Sequence, residues 1–495
     1  MTVHHDSLSH TVRTRFAPSP TGFMHVGNLR TALYEYLIAK ANGGTFVLRI
    51  EDTDQERLVP GAVDMIYSTL RTAGLAHDEG PDIGGPYGPY VQSERMHLYR
   101  PFAEQLVEIG KAYYCFCTKE RLDSLRAHAD SPDTSGYDRH CRELSTDAIR
   151  TQMESGTPYV IRQKMPLTGT TTFSDQVFGD ITVPNKELED QILLKTDGFP
   201  TYNFANIVDD HLMQITHVVR GSEYLSSAPK YNLLYEAFGW DIPTYVHLPL
   251  IQGRGEDGSI SKLSKRHGAT GFEDLVRDGY LVDAIINYIA LLGWCPKEDT
   301  REIFSLSELS EIFSIDGISK SPAIFDYDKL EWFNGEYIRA MSQEQFLSHA
   351  RDAYEELLPD SPEVYDILTG ILQPRITRFS QITDKLAFLR DLPPYDPELF
   401  VHAKSKTTRE NSLSMLAICE KELSTLTSWT HESVSDCLIS LAVRLGMKNA
   451  QVMWPVRISL TGTAVTPGGA VEMLLLLGKK ESLLRMENGR QRLST

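Results

Sequence analysis

Residues 11–50 constrain the fold more than any other stretch of the chain. TVRTRFAP, from Thr11, reads as a short strand, and TFVLRI, from Thr45, reads as a second and more buried one. Between them Leu29, Ala32, Leu33, Tyr36 and Leu37 recur at the spacing of an amphipathic helix. Asn42-Gly43-Gly44 then supplies residues that tolerate the left-handed turn ending such a helix. Strand, helix and strand in so short a span make a βαβ unit, which forces the two strands parallel. The expected fold class is therefore α/β and Rossmann-like. The helix is preceded by APSPTGFMH, Ala17 to His25. A helix start leaves backbone N–H groups unpaired and partly positive, so it draws phosphate. Pro18 and Pro20 stiffen the loop before it, while Gly22 and Gly27 permit close approach. His25 could there donate to a phosphoryl oxygen whose charge grows in a transition state.

A chain of 495 residues has room for two to four domains. From about Asp326 the pattern turns helical, in FDYDKLEWFNGEYIRAM and EQFLSHARDAYEELL, and predicts an all-α domain over 326–495. The net charge of −18 excludes a chain basic throughout, though not a local basic face. The first twenty residues hold no apolar run, so no signal peptide is expected. MLLLLG near Leu475 is too short to span a bilayer, so no membrane partner is expected. Six cysteines in this length suit a reducing cytoplasm and thiols or a metal rather than disulfides. SISKLSKRHG, Ser259 to Gly268, carries Lys262, Lys265 and Arg266 beside serines and a glycine. Such a loop can set ammonium groups against a triphosphate.

The two segments together resemble the paired signatures of class I aminoacyl-tRNA synthetases. Here they stand as His25-Val26-Gly27-Asn28 and Lys262-Leu263-Ser264-Lys265-Arg266. RFAPSPTGFMHVGNLRTAL, LRIEDTD, YNFANIVDDHLMQITHVVRGSEYL, FDYDKLEWFNGEYI and MWPVRISLTGTAVTPGGAVEMLLLLGK are similar to bacterial-type glutamyl-tRNA synthetases, over nearly the whole chain. Asn28 departs from the general signature, which ends in a second histidine, and implies a weaker polar contact to ATP.

The resemblance implies a catalytic domain over 11–325. It would hold an acceptor-end insertion at 95–195 and a stem-contact segment at 271–325, followed by the helical anticodon-binding domain. It implies ATP-dependent attachment of L-glutamate to the 3′ end of tRNA-Glu through glutamyl-adenylate, with Mg²⁺ on the ATP, by a cytoplasmic monomer that does not bind DNA. His25, Lys262 and Lys265 become the contacts to the reacting phosphates, with Asn28, Glu223 and the Ile251 backbone at ATP. Glutamate carries two carboxylates and one ammonium, so its pocket needs two cations and one anion. Arg15 and Arg220 meet the carboxylates in either assignment, with Arg220 favoured for the side chain. Glu51, at the end of its strand, takes the ammonium. Ala17, Ser19, Tyr202 and Asn206 complete the pocket. Glu223 has a second reading, as an acid in the first turn of a helix capped by Ser222. The rivals are a glutaminyl-tRNA synthetase, the truncated queuosine-glutamylating enzyme and a non-catalytic relative. The long helical tail, the intact KLSKR and the presence of His25, Glu51, Arg220 and Lys265 speak against them.

Some relatives in this lineage bind zinc, and the insertion has thiols in register. Cys115-Phe116-Cys117 is followed by Tyr137 and Cys141 in GYDRHCRE. Three cysteines and Tyr137 would close a tetrahedral structural zinc site, with His140 and Glu143 as alternative fourth ligands.

Overall fold

The computed structural model describes residues 11–22, 24–127, 137–255, 257–264, 268, 271–358 and 364–494. Lys265 and Arg266 lie outside them. The strands are β1 (Arg13–Phe16), β2 (Thr45–Leu48), β3 (Ala112–Cys115), β4 (Val160–Gln163), β5 (Thr170–Asp175) and β6 (Gly179–Pro184). They continue with β7 (Ile192–Leu194), β8 (His217–Gly221), β9 (Thr244–Leu248), β10 (Ile251–Arg254), β11 (Ile260–Lys262) and β12 (Ala323–Phe325). Three helices matter most for the site: α1 (Val26–Ala41), α2 (Tyr202–Leu212) and α3 (Ala228–Phe238).

The βαβ unit is present. β1 and β2 pair in parallel with Arg15 opposite Val47, and Gly43 turns the chain between them at φ 60°. β6-β5-β9-β8 form one sheet in that order, with β8 and β9 parallel. β1 runs beside β8: Thr216 N–H donates to Arg13 O at 3.0 Å, and Arg13 N–H donates to Thr216 Oγ1 at 2.8 Å. The carboxyl ends of β1 and β8 therefore open at one edge, where such sheets take nucleotides.

α1 differs from its expected amphipathic form. Leu29, Ala32, Leu33 and Leu37 are buried as the spacing predicts, but so are Tyr34, Glu35, Ile38 and Ala39, whereas Tyr36 is only half-buried. The reason is that α1 has partners on more than one side. It packs on the sheet, and Tyr34 also meets the Phe313 ring at 5.0 Å and donates to Ala290 O and Leu292 O. Glu51 also differs, since β2 ends at Leu48 and Glu51 follows it in a loop, where its N–H donates to Pro18 O at 3.0 Å.

Within 95–195, β3-β4-β7 form a separate antiparallel sheet. The β5–β6 hairpin instead returns to the main sheet, with Asp175 opposite Tyr245 of β9.

The chain divides into two compact units, the described residues of Met1–Val276 with Ile285–Tyr327, and those of Arg277–Ala284 with Asp328–Thr495. The second is helical around an apolar core, in which Phe346, Tyr354, Leu386, Phe400, Leu416, Leu438, Val456 and Leu474 are fully buried. Ser342, Thr408 and Thr430 cap its helices in reciprocal capping boxes with Gln345, Asn411 and Ser433. Among the described residues no helix is long and apolar enough to cross a membrane.

Candidate active site

The Pro loop ends at His25, which caps α1. Its backbone is extended (φ −69°, ψ 148°), and its Nδ1 accepts the Gly27 N–H at 3.1 Å. An accepting Nδ1 leaves the hydrogen of the neutral ring on Nε2, so the ring keeps one donor to offer. Burial, then the nearby Lys262, holds the His25 pKa below its ordinary value and favours that neutral form. Lys262 ends β11, opposite Gln252 of β10. Leu263 N–H donates to Ile251 O at 3.1 Å, so the KLSKR entry is pinned to the strand that carries Ile251.

These groups surround a cleft of about 440 Å³. Arg15, Ala17, Ser19, Glu51, Tyr202 and Arg220 line it, and so do His25, Asn28, Glu223, Ile251 and Lys262. Asn206 does not line it. It lies about one turn further along α2, 1% exposed, and neither of its side-chain amide atoms has a partner. Lys265 falls outside the described residues.

The two arginines are in different states. Arg15 donates from Nε to Asp210 at 2.9 Å and from Nη1 to Glu35 at 3.3 Å. Burial opposes its charge, but these two carboxylates outweigh that and raise its pKa. Arg220 lies over the Tyr231 ring, 4.5 Å from its centroid, and its Nη2 is buried without a partner. Its Nε faces Nε2 of His247 at 3.4 Å. Glu51 is similarly half-answered. Its Oε1 accepts from Arg49 Nη2 at 3.0 Å, while Oε2 is buried and unpartnered. A buried donor and a buried acceptor left open in one cleft need a ligand of opposite polarity at each, because an unpaired buried polar group costs free energy.

Ser222 does not cap a helix. It lies inside the single 3-10 turn Ser222–Tyr224, with Gly221 before it and no side-chain cap bond. A Cβ at Gly221 would collide with the Glu223 carboxylate, so the glycine is what lets Glu223 fold back there.

Sequence reasoning missed the buried ions behind these groups. Arg49 is fully buried between Glu51 and Asp210, at 3.0 and 2.8 Å. Arg30 donates to Leu292 O at 3.1 Å and to Pro249 O. Arg95 and Asp209 pair at 2.7 Å. The available signal was a charge inside an apolar element, as Glu35 in LYEYLIA.

In the insertion the thiols converge. The sulfur atoms of Cys115, Cys117 and Cys141 all lie within 4.8 Å of one another. Tyr137 Oη is 3.2 Å from Cys115 Sγ and 3.6 Å from Cys117 Sγ. Of the alternative ligands, His140 is exposed, and Glu143 is exposed and paired with Arg142 and Lys164.

Residues 11–332 match the catalytic domain of tRNA synthetases class I (E and Q), and residues 332–490 match an anticodon binding domain. A glutamate–tRNA ligase of Clostridium botulinum (strain Hall) is 55% identical over 97% of this chain and 98% of its own. One of Clostridium novyi (strain NT) is 56% identical over the same shares. The crystal structure of a glutamate tRNA ligase from Elizabethkingia meningosepticum, in complex with its amino acid, superposes with a TM-score of 0.89 at 36% identity, covering 97% of this chain and 99% of that one. The cleft at the strand ends, its cation-rich rim and these full-length likenesses agree, and the chain belongs to the glutamate–tRNA ligase family of class I tRNA synthetases.

Proposed function

We propose that this enzyme joins L-glutamate to the 3′ end of tRNA-Glu in two steps, releasing pyrophosphate and AMP. The observation that carries the reading is the pair of open, buried groups in the cleft, Arg220 Nη2 and Glu51 Oε2. They complement the side-chain carboxylate and the ammonium of glutamate. The glutamate α-carboxylate attacks the α-phosphorus of ATP in line, and pyrophosphate leaves. The 2′-hydroxyl of the terminal adenosine then attacks the mixed anhydride and AMP leaves. No protein nucleophile takes part; the chain positions the reactants and stabilises charge. His25 donates from Nε2 to the phosphates, and Lys262 and Lys265 meet the charge growing on the leaving pyrophosphate. Arg15, already answered by Asp210 and Glu35, serves mainly to place the α-carboxylate. Asn28, Glu223 and the Ile251 backbone hold the nucleoside, and Ala17, Ser19 and Tyr202 finish the amino-acid pocket. Mg²⁺ belongs with the triphosphate. The phosphate end of the cleft offers cations and N–H donors, which suit an ion carried in on ATP better than a protein cage. The helical unit would read the anticodon, and the enzyme would act as a cytoplasmic monomer.

ATP–pyrophosphate exchange with glutamate, glutamine or neither, with and without tRNA-Glu, followed by aminoacylation, tests the reading. Exchange driven by glutamine, or no transfer to tRNA, would overturn it. Lys265→Ala should slow adenylate formation by about 2.7–4 kcal/mol in barrier, with little change in the glutamate KM. Single-turnover rates check this.

Cys115, Cys117, Cys141 and Tyr137 would hold zinc as a structural staple. Three soft sulfur donors and a phenol oxygen, converging with Cys117 half-buried and the others buried, fit that ion. Metal analysis of untagged protein should find near-stoichiometric zinc, lost in Cys117→Ser and reduced in Tyr137→Phe. Metal-free protein of full activity would overturn the assignment.

A further inference from the structure

Three adjacent strands carry one line of polar side chains behind the cleft. Asp175 ends β5, His247 lies on β9, and Arg220 lies on β8 directly opposite His247 in the register. All three are buried, and His247 is wholly so. Asp175 Oδ2 accepts both the His247 N–H, at 3.0 Å, and His247 Nδ1, at 2.7 Å. Its Oδ1 accepts the N–H groups of Val177 and Phe178, at 2.9 and 2.8 Å. A carboxylate so fully engaged cannot turn, and it admits one imidazole tautomer, with the hydrogen on Nδ1. That leaves the Nε2 lone pair free to accept from Arg220 Nε, 3.4 Å away. Burial holds the His247 pKa below its ordinary value, so the ring stays neutral and can accept. Among the described residues Arg220 has no carboxylate partner; it lines the cleft, and its Nη2 has no hydrogen-bond partner.

We infer that Asp175 and His247 are positioning residues for substrate selection: Asp175 fixes the His247 ring, and the ring anchors Arg220 by Nε so that its outer nitrogens face the substrate carboxylate. The inference rests on the proposed role of Arg220. A carboxylate paired directly with Arg220 would compete with glutamate for it. A neutral acceptor fixes the same guanidinium without neutralising it, so the full positive charge remains for the ligand. Nothing in the local sequence joins the three residues, since the outermost come from a hairpin and a strand 45 positions apart, Asp175 and Arg220.

The test compares His247→Leu, His247→Gln and Asp175→Asn with Arg220→Gln in the full-length enzyme. His247→Leu should raise the glutamate KM about tenfold, as expected when a buried donor loses its partner. It should reduce the preference for glutamate over glutamine by a similar factor and leave the ATP KM within about twofold. His247→Gln, whose carboxamide oxygen can still accept from Nε, should recover most of both losses. Asp175→Asn should reproduce the loss in weaker form, and it serves as the readout where His247→Leu does not fold. A role confined to packing would leave the glutamate-to-glutamine ratio unmoved, which would overturn the inference. If Arg220→Gln itself retains the glutamate preference, the underlying reading of Arg220 fails instead. If Arg220→Gln loses the preference while the His247 and Asp175 variants keep it, the relay alone is wrong.

Discussion

At the cleft, Arg15, Arg49, Glu51, Asp210 and Arg220 are all 6% exposed or less. In the helical unit, positions of equal burial hold Phe346, Leu386, Leu416 and Leu438. Among the described residues there, Arg485 is the buried charge, and its Nη1 donates to Phe388 O and Leu460 O. Thus the buried charge of the helical core is answered, chiefly by backbone, and core residues there that keep an open buried atom include Tyr354, Thr369 and Tyr395, whose hydroxyls are neutral. The cleft differs in that its open groups belong to charged residues, Arg220 at Nη2 and Glu51 at Oε2. Burying such groups unpaired lowers stability, and a fold keeps them where a ligand completes them. The two regions should therefore respond oppositely to mutation, one losing activity and the other losing stability.

The largest effect that would sharpen this contrast is expected at Arg220. Arg220→Gln should reduce glutamate use by roughly 10⁴-fold, because discrimination built on buried polar pairing reaches that scale. The protein should nonetheless stay folded, since removing a buried cation without an ion-pair partner relieves a desolvation cost. Aminoacylation kinetics with each amino acid, alongside thermal unfolding, check both halves. A variant that kept its glutamate preference would break the contrast at its centre.

The opposite response is expected at Leu438, which is fully buried in the helix His431–Arg444. Leu438→Ala should destabilise the helical unit by about 3 kcal/mol through lost burial and a residual cavity. Glutamate selectivity should remain unchanged. Hydrogen exchange resolved by peptide is the suitable measurement, because a chain of two compact units need not unfold in one step. Faster exchange confined to the helical peptides is the expected result.

The same contrast explains what could be read in advance. The helical tail and the βαβ unit announce themselves through local periodicity, and the Pro loop, His25 and the KLSKR lysine Lys262 stand in short motifs. The cleft's supporting ions do not. Glu35 sits in a helix whose apolar spacing looks amphipathic, yet Arg15 and tertiary packing bury it. Asp210 answers Arg15 and Arg49 from about 160 residues or more away in sequence, in a phrase that otherwise reads as an ordinary helix end. His247 carries no local signal of its own, and only the strand register brings it against Arg220. Periodicity reports which face is buried but not which charge will meet which. Ser222 shows the converse error, since a cap residue before an acid signals a helix only when the chain continues one, and here it makes a single turn.

The smallest effect tests whether the helical unit is as locally self-sufficient as its core. Ser342 caps the helix Gln343–Leu357: its Oγ accepts the Gln345 N–H at 3.2 Å, and Gln345 Oε1 accepts the Ser342 N–H at 2.9 Å. Ser342→Ala removes one side of this exchange and leaves an N–H at the helix start without its side-chain acceptor. The expected cost is about 1 kcal/mol, the usual size for losing such a cap. Both partners lie at an exposed helix end, so water can replace the lost bond and the damage should stay local. Amides of the first turn should then exchange several-fold faster, with those around Ala350 and Tyr354 nearly unchanged and the glutamate KM unmoved. Gln345→Ala should give a similar but separate loss, and the double variant should cost less than the sum, because the two bonds form one reciprocal unit. If the double variant were strictly additive, the box would be two independent bonds. If Ser342→Ala altered selectivity for glutamate, the helical unit would be tied to the cleft more closely than a self-contained core implies.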